Sequence, residues 1–223
     1  MQKFATPNTI SAQFDIPAGR IRLIAADRSD TTVEVLPADP AKNRDVQAAE
    51  QIEVGYADGV LRIAAPAPKN QLFGHSGAVE ITVQLPAGSH VEAKAAAAEL
   101  RGVGRLGDVS FESAQGPVKL DEAAGARIAL QGGDISVGRL AGNAELRTMK
   151  GDLTVAEARR GTLTLHTESG DVSVGAAREA SAVLDAGTTY GRIDNALRNA
   201  AGADAELTVH ATTGYGDIAA RSL

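Results

Sequence analysis

The sequence predicts an all-β chain, most of it a single-stranded, β-helix-like β-solenoid of about seven coils. Three observations predict this. A Gly-Asp string followed by alternating apolar residues recurs as GGDISV, KGDLTV, SGDVSV and YGDIAA, beginning at Gly132, Lys150, Ser169 and Tyr215. Positions around these strings fall into columns of matching character, the mark of a stacked repeat. The composition, 43% hydrophobic but only 3% aromatic and without Trp, suits thin layers of Val, Ile, Leu and Ala. A length of 223 residues is ample for a continuous core.

The apolar residue after Gly-Asp anchors each coil: Ile135, Leu153, Val172 and Ile218, with degenerate copies at Leu100, Val118 and Ile193. Successive anchors lie 18, 17, 18, 19, 21 and 25 residues apart. Two residues before the anchor stand Ala98, Gly116, Gly133, Gly151, Gly170, Gly191 and Gly216, where the chain bends. Offset −7 holds Ala93, Phe111, Ile128, Leu146, Leu165, Ala186 and Ala211, and offset −9 is equally apolar. These offsets share one face of a strand, because side chains alternate with period two. Offsets 0 and +2 form the inward face of a second strand. Offset −5 carries Thr148, Thr167, Thr188 and Thr213, whose hydroxyls can satisfy backbone groups at the bend. Offsets −8 and −6 are polar and face outward. Lys94 with Glu112, and Arg127 with Glu145, fall opposite one another there as weak register pairs.

Residues 1–88 are expected to form an antiparallel sheet or small sandwich that caps the solenoid of residues 89–223, with one continuous domain as the alternative. Its strands are predicted at 10–16, 19–25, 31–36, 51–56, 60–64 and 79–85. Turns are read at Pro17-Ala18-Gly19, Asp58-Gly59 and Pro86-Ala87-Gly88. Residues 39–49 read as a loop or one short helix, and 69–77 as a loop. The link at 195–205 or the last residues would shield the far end.

The Gly-Asp coils with Thr just before the Gly, the Pro17-Ala18-Gly19-Arg20 turn and the strand and turn of residues 79–88 resemble a known group. It is the bacterial β-strand-repeat family of unknown function labelled "putative adhesin", in its soluble actinobacterial style. The resemblance implies an all-β fold with a solenoid portion and brings no catalytic residues with it.

Asp134, Asp152 and Asp171 follow the bend Gly in consecutive coils, with Asp217 expected two coils further on. A carboxylate ladder could take calcium, but Asp also suits a turn by accepting nearby N–H groups, and that is the reading adopted. His75, His90, His166 and His210 form no ligand motif, so no metal, cofactor or catalytic residue is assigned. A carbohydrate-active β-helix enzyme would want paired carboxylates and aromatic sugar platforms. An ice-binding face would want outward ranks of Thr. The one surface selected as a binding site is Tyr190, Arg192, Tyr215 and Asp217, which adjacent coils would bring to one bend. Tyr favours contact surfaces, and the competing role for the pair is to cap the end of the stack.

The net charge of −6 argues against nucleic acid. Absence of Cys removes disulfides and thiolate sites. With no apolar run of membrane-spanning length and no signal peptide read at the N-terminus, the expected compartment is the cytoplasm. The function expected is a noncatalytic scaffold or module for a protein partner, with self-association at sheet edges. The alternative is a cell-surface or glycan-binding adhesin.

Overall fold

Inward and outward residues alternate along almost every strand, and the inward set forms one apolar core running from Ile10 to Ala220. The computed structural model describes residues 1–66 and 77–223. Apart from Gly77, the loop expected at 69–77 lies outside them, as does His75.

In chain order the elements begin with β1 (Gln2–Ala5), β2 (Ser11–Ala26), β3 (Asp30–Pro37), helix α1 (Asn43–Gln51), β4 (Glu53–Ala57), β5 (Val60–Ala64) and β6 (Val79–Pro86). Then come β7 (His90–Gln115), β8 (Val118–Gly132), β9 (Ile135–Leu140), β10 (Ala144–Lys150), β11 (Leu153–Ala158), β12 (Gly161–Ser169) and β13 (Val172–Ala176). The last are β14 (Ala182–Tyr190), β15 (Ile193–Ala196), β16 (Leu207–Tyr215) and β17 (Ile218–Ser222).

Each coil contributes one strand to each of two parallel ladders that meet at the bends. The anchors stack in the spatial order Ile81, Ile21, Leu100, Val118, Ile135, Leu153, Val172, Ile218 and Ile193. That is nine levels rather than about seven, a stack roughly 38 Å tall at about 4.8 Å per step. A third inward column, Leu106, Ala123, Leu140, Ala158 and Ala176, lines the return links.

The two additional levels correct the expected N-terminal sheet. Residues 10–16 and 19–25 are not two antiparallel strands: they lie in β2, which runs through its bend at Gly19 and pairs in parallel with β7, Ser11 opposite His90. Ala12, Phe14, Ile16, Ile21 and Leu23 occupy the same inward columns as the later coils and are buried. β5 and β6 form the next level out, again parallel to β2. The antiparallel cap is smaller than expected. It consists of β4 on β5, and of β3 on β6 with β1 beyond it. Residues 39–49 end in α1, which starts at Asn43 and packs against β3 and β6. Asp58 and Gly59, both at positive φ (51° and 79°), make the tight turn between β4 and β5.

The order of levels is inverted at both ends. β12 and β13 are followed in space by β16 and β17, and β14 and β15 lie outside these. The chain therefore skips one level after β13, builds the outermost coil, and returns through residues 197–206 to fill the gap. The last residues do not shield the end as expected; they lie inside the stack. At the other end β2 is inserted in the same way, between the β5–β6 level and β7.

Packing at the bends explains the glycines. A Cβ on Gly170 would fall 2.0 Å from the Gly151 carbonyl oxygen, and one on Gly216 2.0 Å from that of Gly170, both at φ 150°. No side chain fits between levels there. The adjoining Thr column points inward and is buried at Thr148, Thr167 and Thr213. Of the register pairs, Arg127 and Glu145 lie 3.5 Å apart, whereas Lys94 and Glu112 do not close to ion-pair distance.

Candidate functional site

The bends of the two outermost levels are fixed from inside. Thr213 Oγ1 donates to the Gly170 carbonyl at 2.9 Å, and Thr188 Oγ1 donates to that of Gly216 at 3.0 Å. Each hydroxyl ties its own strand to the bend of the level beneath, and the strand then runs two residues past the core. Those residues are Tyr215 at the end of β16 and Tyr190 at the end of β14. They are opposite one another in register. Their rings stack with centroids 4.9 Å apart and planes 7° from parallel, and Tyr190 and Tyr215 are 62% and 61% exposed. The pair therefore stands at the corner of the stack instead of closing its apolar end. Further in, the same column continues as Ser169, Lys150 and Gly132, so the aromatic surface is confined to two levels.

Arg192 and Asp217 follow immediately. The Arg192 amide donates to Asp217 Oδ1 at 2.8 Å, and its Nη2 donates to Oδ2 at 3.1 Å. These two bonds, the amide's first and the guanidinium's second, hold the Asp217 carboxyl below its ordinary range. The Arg192 side chain remains 89% exposed, with donors free toward solvent. All four residues selected from the sequence thus meet at one bend. The arrangement offers a flat, exposed π surface with a guanidinium close by in the chain.

The Asp column has a structural use at every step. The Asp152 amide donates to Asp134 Oδ1 at 2.9 Å, the Asp171 amide to Asp152 at 2.8 Å, and the Asp217 amide to Asp171 at 2.7 Å. Because of the inverted order, Asp217 lies directly on Asp171 and not two coils away. Each carboxylate caps the backbone of the next level, as turn Asp residues do. Among the described residues no three His, Asp or Glu side chains gather as metal ligands. His90 accepts from the Asp108 amide at 3.2 Å, His166 pairs with Thr212 at 2.8 Å, and His210 with Asp185 at 3.1 Å.

One feature was missed from the sequence. An open groove of about 780 Å³ crosses the outer face of the first ladder, lined by His90, Glu92, Asp108, Arg127, Asn143 and Glu145 among others. The polar columns at offsets −10 and −8 are its signal, but they read equally well as an ordinary solvated face.

Parallel two-ladder coils, Gly bends and Thr and Asp brackets define the class of this protein: a β-solenoid whose sheet is not closed. Within that class the chain belongs to the family described as Toastrack DUF4097, which it matches over residues 16–220. No curated protein matches it. Among solved structures it is similar to a "putative cell adhesion protein" from Clostridium sporogenes, at 12% identity, covering 100% of this chain and 98% of that one, with a TM-score of 0.41. It is also similar to a "putative adhesin" from Bacteroides fragilis, at 12% identity over 98% and 95% of the two chains, TM-score 0.47. Another, from Parabacteroides distasonis, gives 12% identity, the same coverages and a TM-score of 0.40. No helix among the described residues is long and apolar enough to cross a membrane.

Proposed function

We propose that this chain is a noncatalytic, cytoplasmic binding module that presents its outermost bend to a protein partner. The observation that carries the reading is the stacked, exposed pair Tyr190 and Tyr215 with Arg192 beside it. Two rings held parallel by the ladder lose little entropy on contact, which is why such side chains concentrate binding energy. The noncatalytic part is supported by the Asp column, whose carboxylates are engaged in holding levels together. The test is a crosslinked pull-down of the tagged chain from its native cells, repeated with Tyr190→Ala and Tyr215→Ala together. The expected result is one stoichiometric cytosolic protein, lost in the double variant while the melting temperature stays within a few degrees. Recovery of envelope or glycan material, insensitive to the two substitutions, would overturn the reading in favour of the adhesin alternative.

A further inference from the structure

We propose that the outermost coil pairs edge to edge with the same coil of a second copy, forming a closed, two-fold dimer centred on Ile193. Three observations lead there. First, the two ends of the stack are finished differently. Antiparallel strands cover the β5–β6 level, whereas among the described residues β14 pairs only with β16 and β15 only with β17. Columns that are closed elsewhere are open here: Ile218 is fully buried, but Ile193 in the same column is 46% exposed, and Leu184 and Ala186 are only half-buried. The last strand does not cover this edge: it lies inside the stack, with the Leu223 amide bonded to the Ala176 carbonyl.

Second, the open edge asks for a strand. The Ile218 amide donates to the Arg192 carbonyl at 2.8 Å, so the backbone groups of Arg192 and Asp194 face β17. By alternation, the N–H and C=O of Ile193 and Asn195 point to the open side, where only another strand can satisfy them in series.

Third, the edge is complementary to itself. A two-fold axis runs the paired strands antiparallel. In the register that sets Ile193 against the partner's Ile193, the outward-facing backbone groups exchange a closed pair of hydrogen bonds. The apolar side chains meet over the core. Arg192 then lies opposite the partner's Asp194 and Asp194 opposite the partner's Arg192, two cross-strand ion pairs formed by one symmetry. A neighbouring register would lose the hydrogen bonds or set like charges together. Because such an interface is isologous, it closes at two copies and builds no filament.

Sedimentation of the full chain over a wide concentration range tests this, with circular dichroism verifying that each variant is folded. The wild type is expected to dimerise. Asp194→Arg alone and Arg192→Asp alone each set like charges opposite one another and weaken self-association by about tenfold or more. An equimolar mixture of the two variants restores both ion pairs and regains the dimer. A wild type that stays monomeric at every concentration, or a dimer that neither substitution weakens, overturns the proposal. Asp194→Arg leaves Tyr190, Arg192, Tyr215 and Asp217 intact, so its outcome is separable from loss of a protein partner.

Discussion

Thr213 illustrates how single side chains hold the stack. It sits on an inward strand position, buried, and its hydroxyl serves the carbonyl of Gly170 one level below. Thr213→Val keeps the shape but strands that carbonyl, and should cost about 1–2 kcal/mol in urea unfolding. Gly170→Ala is far harsher. The added Cβ meets the Gly151 oxygen at 2.0 Å in a backbone conformation that L side chains avoid. A loss above about 4 kcal/mol is expected, with little folded protein recovered. Gly187→Ala is the contrasting case, since nothing lies within 4 Å of its added Cβ. It should be neutral, or stabilising by about 0.5 kcal/mol, in the same assay. The carboxyls set an acid limit. Asp30, which accepts from Arg28 and Lys3, is lowered from 3.8 to about 2, and Asp217 is lowered by Arg192. Groups depressed in the folded state stabilise it above their unfolded value, and this contribution fades as pH falls. Urea midpoints should therefore drop between pH 5 and pH 2, and Asp30→Asn should flatten that drop while lowering stability at pH 7.

At the scale of elements, most coils were legible because their columns recur at nearly constant spacing. Tyr190, Arg192, Tyr215 and Asp217 were selected by the same offsets, and the bend brings them together. The coil built by β2 carries the same signature in Ala12, Phe14, Gly19, Ile21 and Leu23, yet escaped notice. Its neighbours in space are β7, whose anchor lies 79 residues on, and a level interrupted between β5 and β6, so no period was visible. The inverted order at the other end was also illegible. Columns specify what a level looks like, not which level it touches. The only trace was the lengthening of the last two spacings to 21 and 25 residues. A chain ending after residue 206 tests the inversion: without β16 and β17, the outermost coil has nothing beneath it. Such a chain should lose the signal of cooperative unfolding and aggregate, as an unpaired apolar level does.

For the molecule as a whole, the two ends have unequal fates. One is closed by β1, β3 and β4, and the other, among the described residues, presents an unpaired parallel edge with Ile193 and a tyrosine pair at its corner. A stack of this kind behaves as a sum of neighbouring interfaces. A substitution such as Leu165→Ala, at a fully enclosed middle level, should cost about 2–5 kcal/mol by thermal melting. The same truncation at Leu184 on the outermost level, where the side chain is only half-buried, should cost markedly less.

The inversion of levels also governs how the molecule would bear load. The final strand, β17, lies between β13 and β15, with a ladder of hydrogen bonds along each side. Tension applied at Leu223 cannot unzip the stack one row at a time from a free margin, as it would in a solenoid whose last turn was outermost. It must shear a strand gripped on both flanks, so the first event of forced unfolding carries the highest barrier, and the chain yields late and abruptly.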